Sequence, residues 1–210
     1  MAGPFINTSD LRITKKRCFA RQAVSGLVWK VMIGFGKILF LGLESAVMEI
    51  KHIGVRDALD SFDGINRLLP QLHPSGNGDK ISETEFVDCL LNGNFHLFVA
   101  VDDSKKYPDS FAAMASIFFQ RNLGRWIAEI HDVVVDKEYR GRGLGEKITL
   151  ALIEDAKRFA KVKNAKIKLY LTSRPSRVVA NKLYEKLGFE LVAEARGEQG
   201  TNLYKMMITP

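Results

Sequence analysis

Cysteine is scarce: Cys18 and Cys89 are the only two in 210 residues, and they form neither a Cys-x-x-Cys pair nor an obvious bridge. That excludes a disulfide scaffold and suits a reducing compartment, read here as the cytoplasm. The histidines, His52, His73, His96 and His131, show no ligand spacing, so no metal site is expected. No internal repeat is evident, which excludes solenoids and propellers. The longest apolar stretch, Val24 to Leu43, approaches the length of a membrane span but is broken by Lys30, Lys37 and glycines at 26, 34 and 36. Each such lysine costs roughly 2.5–3.5 kcal/mol at a bilayer centre. A basic stripe over the bulk of the chain is missing too. Of the net charge of +7, residues 1–47 hold 7 Lys and Arg against 2 Asp and Glu, leaving 24 against 22 for the rest. A nucleic-acid binder more often spreads its excess over the folded domain, so no nucleic-acid partner is expected.

What is present is core-forming material. With 46% hydrophobic and 10% aromatic residues, the chain can bury one sizeable core. Residues 1–47 admit several readings: a signal anchor, a basic amphipathic surface helix, an organelle presequence, or an upstream extension with the native start at Met48. The expectation adopted is an extension outside the fold, with no membrane contact unless residues 24–43 act as an anchor, and a single domain over residues 48–210.

Within that domain, Glu49 to Val55 reads as a first strand. Residues 57–72 read as a helix with Leu59, Phe62, Ile65 and Leu69 on its inner face, ended by Pro70 and Pro74. Ser82-Glu-Thr-Glu85 is a capping box opening a helix through Leu91, with Gly93 as its stop. Strands follow at Phe95–Val101, Phe111–Phe119 and Trp126–Val135, separated by a polar loop, Asp102 to Pro108, and a tight turn, Asn122 to Gly124. Ile148, Leu152, Ala156 and Phe159 make the inner stripe of the next helix. A strand over Ala165–Leu171, a helix with Val179, Leu183 and Leu187 on one face, and two closing strands complete the order.

The most informative segment is Asp132-Val-Val-Val-Asp-Lys-Glu-Tyr-Arg-Gly-Arg-Gly-Leu-Gly-Glu146, where a β-branched strand ends in a glycine-rich turn that opens a helix. Gly141, Gly143 and Gly145 let the backbone approach a ligand, the helix N-terminus offers free N–H groups to an anion, and Arg140 and Arg142 add charge. The Walker spacing fails, because Gly141 is followed five places on by Glu146. The Rossmann spacing fails as well, because the position three after Gly143 is again Glu146. Arg140-x-x-Gly143-x-Gly145 resembles instead the Arg/Gln-x-x-Gly-x-Gly/Ala signature of the GNAT superfamily of N-acetyltransferases. Ala180-Asn-Lys-Leu-Tyr-Glu-Lys-Leu-Gly-Phe189 is similar to that family's C-terminal motif, in the right order and at the right separation. Read alone, that segment is a well-capped amphipathic helix with Gly188 as its stop.

The resemblance implies an α/β (α+β) fold over residues 48–210: a mixed, mostly antiparallel central sheet of about seven strands with helices on both faces. It implies acetyl-CoA as co-substrate, with the pantetheine bonded to the backbone of Val133, Val134 and Val135 between two splayed strands. The pyrophosphate is then held by Arg140, Gly141, Arg142, Gly143, Leu144 and Gly145. Where the family often has an asparagine this chain has Arg177, and Asn181 or Ser176 is expected to substitute. Glu129 matches the base of the histone-acetylating branch, with His131 and Asp132 as competitors; strand alternation sets Glu129 and His131 on one face and Asp132 on the other. Tyr184 matches the proposed acid. The reaction implied is direct attack by a primary amine in a ternary complex. The acceptor pocket is expected between the Ile65 to Ser82 region and the strand ends near Phe119 to Trp126. A homodimer is compatible with the family. The alternative is a non-catalytic acyl-CoA-binding or sensing module of the same fold.

Overall fold

The computed structural model describes residues 48–73, 78–197 and 200–210. The readings given to residues 1–47 lie outside the described residues. Strands β1 (Glu49–Ile53), β2 (Phe95–Val101), β3 (Phe111–Asn122), β4 (Arg125–Val135), β5 (Ile167–Ser173), β6 (Glu190–Ala193) and β7 (Asn202–Ile208) form one seven-stranded sheet in the order β1-β2-β3-β4-β5-β7-β6. Every neighbouring pair is antiparallel except β4 and β5. That parallel pair requires a crossover, and helix α3 (Leu144–Lys163) supplies it.

Helices α1 (Ala58–Leu68) and α2 (Glu83–Leu91) cover one face of the sheet; α3 and α4 (Val178–Lys186) cover the other. Alternation along the strands divides the core accordingly. Leu97, Val99 and Met114 pack with Ile65, Leu68, Phe86 and Leu90 under α1 and α2. Phe98, Ala115, Ile117, Ala128, Ile130 and Leu169 pack with Ile148, Leu152, Ala156 and Tyr184 under α3 and α4. Each fully buried aliphatic chain contributes about 1.5–3 kcal/mol. The capping box forms as read: the Ser82 hydroxyl accepts from the Glu85 N–H at 3.2 Å, and the Glu85 carboxylate accepts from the Ser82 N–H at 2.8 Å.

Two helix faces differ from the sequence reading. The expected helix 57–72 is a short 3-10 turn, then α1, then a second 3-10 turn, Leu69–Leu72, in which Pro70 cannot donate to a continuing α-helix. Its buried stripe runs through Ala58, Ser61, Ile65 and Leu68, while Leu59 is 73% exposed. In α4 the buried residue is Tyr184, and Val179 is 84% exposed. The large Tyr184 ring sets the rotation of the helix against Phe189 and Tyr204, at centroid distances of 6.1 and 5.9 Å.

Candidate active site

The sheet forks. β4 and β5 pair from Trp126 opposite Ile167 to Ile130 opposite Leu171, and there the pairing stops, although β4 runs on to Val135 and β5 to Ser173. Val133, Val134 and Val135 therefore present strand backbone to a gap that no strand among the described residues fills. A cavity of about 250 Å3 opens at the crotch, lined by Glu129, Ile130, His131, Tyr170, Leu171, Thr172 and Leu203. The β3–β4 turn, with Phe119 and Trp126, lies at the opposite end of β4, about 30 Å from Val135 at 3.3 Å per residue. The expected pocket near Phe119 to Trp126 is thus corrected. Those rings are structural: Phe119 stacks on Phe159 at 3.9 Å and Trp126 meets the same ring edge-on at 5.0 Å.

One bulge decides what faces the fork. In the β3–β4 ladder Met114 opposes Val134 but Ser116 opposes His131, so β4 carries one extra residue, and Asp132 takes φ +53°. Aspartate is among the few residues that accept that conformation. A bulge flips the alternation beyond it. Met114 and Val134 both lie in the α1/α2 core, so Ser116 and its partner His131 share that face, as does Glu129. The Asp132 carboxylate accepts from the Ser116 hydroxyl at 2.9 Å and lies on this face too. The expectation that Asp132 points to the other face is overturned: Glu129, His131 and Asp132 stand on one side. The Glu129 carboxylate lies 3.3 Å from His131 Nε2, and both side chains are about half exposed, at 49% and 51%.

Past the bulge, β4 runs into the glycine turn. Gly141 and Gly143 have φ +77° and +75°, and a Cβ at either would meet open space. Gly143 caps α3, whose first-turn N–H groups have no intrahelical partner and face the same opening. The Leu144 side chain is buried, so that residue offers the turn only its backbone. Gly145 brings α3 close to its neighbours, its Cβ position 3.5 Å from Leu183 Cδ2 and 3.8 Å from Val135 Cγ2. Arg140 Nε donates to the Val135 carbonyl at 3.2 Å; Arg142 donates to the Glu138 carbonyl at 3.0 Å and lies 5.1 Å from the centroid of the Tyr139 ring.

Across the gap, β5 leads into α4. Tyr184 is 6% exposed, and burial pushes its phenol pKa up, so the hydroxyl keeps its proton. Asn181 Nδ2 donates to the carbonyls of Arg174 and Pro175 at 3.1 and 3.4 Å, holding the β5–α4 turn. Its Oδ1 and the Ser173 hydroxyl are buried without a partner among the described residues, which is uncommon for buried polar atoms.

The sequence reading missed what supports the turn. Asp136, which follows β4, is 2% exposed and pairs with the Arg67 guanidinium from α1; Gln71 Nε2 donates to it at 3.1 Å and the Glu138 N–H at 2.9 Å. Burial raises its pKa, but these donors outweigh that and hold it below the usual carboxylate value. On the other side Tyr139 donates to Asp102 at 2.7 Å, and Lys105 pairs with Glu138 at 3.0 Å. A buried aspartate five residues before the first turn glycine was the available signal.

An unpaired strand edge, an open turn with two left-handed glycines, and orphaned polar atoms on the facing bank together fit a ligand with an amide-rich arm and a phosphate end. A family model described as the acetyltransferase (GNAT) family matches residues 62–189, and the chain belongs to that family. It is 30% identical over 108 residues to a probable glucosamine 6-phosphate N-acetyltransferase of Oryza sativa subsp. japonica, covering 48% of this chain and 63% of that protein. Among solved structures it resembles a GNAT-family acetyltransferase from Streptococcus pneumoniae, with TM-score 0.60, 20% identity, and 77% and 99% of the two chains covered. It also resembles Arabidopsis thaliana NAA60 in complex with acetyl-CoA, with TM-score 0.54, 15% identity, and 77% and 98% covered. At such identities the structural likeness speaks to the fold. No helix among the described residues is long and apolar enough to cross a membrane.

Proposed function

We propose that residues 48–210 form an N-acetyltransferase domain that transfers acetyl from acetyl-CoA to a primary amine by direct attack in a ternary complex. The observation that carries this reading is the fork: β4 loses its β5 partner at Ile130 and runs on to Val135, paired with β3 alone, toward the glycine turn. On the edge turned away from β3, the backbone of Val133 to Val135 can bond an extended amide arm as a missing strand would, with the Val135 carbonyl shared with Arg140. The glycine turn, with the backbone N–H groups of Gly141 to Gly145 and the remaining donors of Arg140 and Arg142, takes the pyrophosphate, and Asn181, like Ser173, has an unspent oxygen on the far bank. Bound there, acetyl-CoA supplies a thioester whose carbonyl carbon the amine nitrogen attacks, with the thiolate as leaving group.

The chain's own residues then move the protons. Glu129, at the crotch of the fork, accepts the proton of the incoming ammonium, with His131 3.3 Å away to share the charge. Tyr184, kept protonated by burial, gives its proton to the departing sulfur. For the acceptor, an amine that carries an anion is favoured. Lys205 lies two strands from Glu129 in the same row and on the same open face, about 10 Å away, and Lys168 stands in the next row. The rice relative's name makes glucosamine 6-phosphate the first acceptor to try.

Calorimetric titration with acetyl-CoA, then mass detection of acetylated product over a panel of amines including glucosamine 6-phosphate, tests the reading. Binding with transfer to at least one amine is expected. Binding without transfer to any amine would favour the non-catalytic acyl-CoA module, and absence of binding would end both readings.

A further inference from the structure

The end of the sheet away from the fork carries charge of one sign. There Leu123 and Gly124 form a two-residue turn between β3 and β4, closed by the paired Asn122 and Arg125. The register makes this hairpin project. β2 begins opposite Phe118 and β5 begins opposite Trp126, so β3 overhangs its neighbour by residues 119–122 and β4 by Arg125. Gly124 takes φ +77°, a conformation that favours glycine, but nothing in the turn calls for leucine before it, and Leu123 is fully exposed at the tip.

Cations surround that tip. Arg121 and Arg125 flank it on the two strands, and the last turn of α3 with the link to β5 brings Lys161, Lys163 and Lys166 to the same end, all exposed. The Trp126 ring ties the two groups together, with Arg121 Cζ 5.3 Å and Lys163 Nζ 5.5 Å from its centroid. A second exposed aliphatic residue, Val162, stands between Lys161 and Lys163. No Asp or Glu occurs in residues 119–128 or 156–169. The dipole of α3 accounts for lysines in its last turn, but not for Arg121, Arg125 or Lys166. The near balance of charge over residues 48–210 averages this end with α1 and α2, which carry Asp60, Asp63, Glu83, Glu85 and Asp88 against Arg67 alone.

We propose that this end is a docking surface for an anionic lipid bilayer, with the five cations on the headgroups and Leu123 entering the boundary between headgroups and acyl chains. The same cations would suit the phosphates of a nucleic acid, and two observations favour lipid. A duplex has no use for a fully exposed aliphatic side chain at the tip, whereas a bilayer removes it from water. Base stacking needs an open aromatic face, and the Trp126 ring is already flanked by Arg121, Lys163 and Phe159. Val135 and the glycine turn lie at the other end of β4, so a docked protein keeps the fork turned toward water.

Co-sedimentation of the full chain with vesicles of phosphatidylcholine alone, and of phosphatidylcholine with about one third phosphatidylserine, tests this beside a short DNA duplex in the same buffer. Residues 1–47 are present in every variant, so any affinity that they confer is common to all. The wild type should bind the anionic vesicles more tightly than the neutral ones and be released by salt. Arg125→Glu with Lys166→Glu should lower binding to the anionic vesicles at least tenfold, since each basic residue near such a surface is worth roughly a factor of five. Leu123→Ser should lower it several-fold, with the salt dependence kept and any DNA binding unchanged. Acetyl-CoA affinity and the far-UV spectrum should match the wild type in both variants. Equal binding of the wild type to both kinds of vesicle would overturn the proposal, as would wild-type vesicle binding in either variant. DNA bound more tightly than vesicles, and lost only in the double variant, would make this a nucleic-acid surface instead.

Discussion

At the scale of single residues, Asp132 has the widest consequences. Its φ of +53° reverses the alternation of β4, sending Val134 into the α1/α2 core and leaving Val133 and Val135 packed toward α3 and α4. Glycine takes that conformation without cost, and a β-branched side chain does not. Asp132→Gly should therefore keep the fold within about 1 kcal/mol after the loss of the Ser116 bond, whereas Asp132→Val should lose about 1–3 kcal/mol. Denaturant unfolding of the two variants checks this; equal stability of both would mean that the bulge does not depend on residue 132. Gly143 makes the same argument on the ligand side. With φ +75° and open space before it, Gly143→Val places a strained, branched side chain where phosphate would approach. Acetyl-CoA affinity should drop at least tenfold by calorimetry while the far-UV spectrum stays native. Unchanged affinity would remove the turn from the site.

At the scale of elements, α3 is a girder whose start shapes the glycine turn and whose later part is pinned to the far strands. There Asp155 meets His96 Nδ1 at 2.5 Å and Arg158 at 2.9 Å, and the His52 ring stands edge-on to His96 at 5.5 Å. Burial, and then the neighbouring His96, lower the His52 pKa; Asp155 and Asp57 pull it up, and Arg158 adds to the lowering. A histidine whose folded pKa lies below its unfolded value favours folding when neutral. The unfolded chain binds the proton first, so this stabilisation is present above the unfolded pKa of about 6.5 and is lost as pH falls through the folded value. Thermal melts should thus show stability declining as pH drops below about 6.5, and His52→Phe should flatten part of that decline. An identical slope in the variant would show that His52 does not contribute.

The same elements show what could be read from sequence and what could not. The glycine turn, the Ser82 capping box and the Gly188 stop were legible because each depends on residue types at fixed local offsets. The inner stripe of α1 was misread at its start, since Leu59 fits the helical period but is exposed and Ala58 and Ser61 are buried instead, whereas Phe62, Ile65 and Leu69 do pack on the α1/α2 core. The bulge at Asp132 was hidden because an unbroken β-branched run gives no sign of an extra residue. The pocket expected near Phe119–Trp126 falls at the paired end of β4, because which end of β4 opens depends on its parallel pairing with β5, a contact made through a 20-residue helix. Arg67 with Asp136 and Arg177 with Leu72 join segments 69 and 105 residues apart, beyond the reach of any local pattern.

At the scale of the whole molecule, the sheet has one parallel pair, and the fork occurs where that pair ends. Antiparallel neighbours hold β4 on one side and β5 on the other, so the gap is built by the architecture and not by a loop. The crotch of that gap carries Glu129, the carboxylate proposed above to take the proton of an amine attacking acetyl-CoA. The direct measurement is the pH dependence of acetyl transfer by Glu129→Gln beside the wild type, with acetyl-CoA affinity determined for both. Nearly equal affinity is expected, because the amide is isosteric and remote from the glycine turn, with turnover lowered by roughly 10² to 10⁴-fold near neutral pH. The loss should shrink as pH rises, since more of the acceptor amine then arrives already deprotonated. Full activity of Glu129→Gln across the pH range would contradict the role given to Glu129 and pass it to His131 or Asp132.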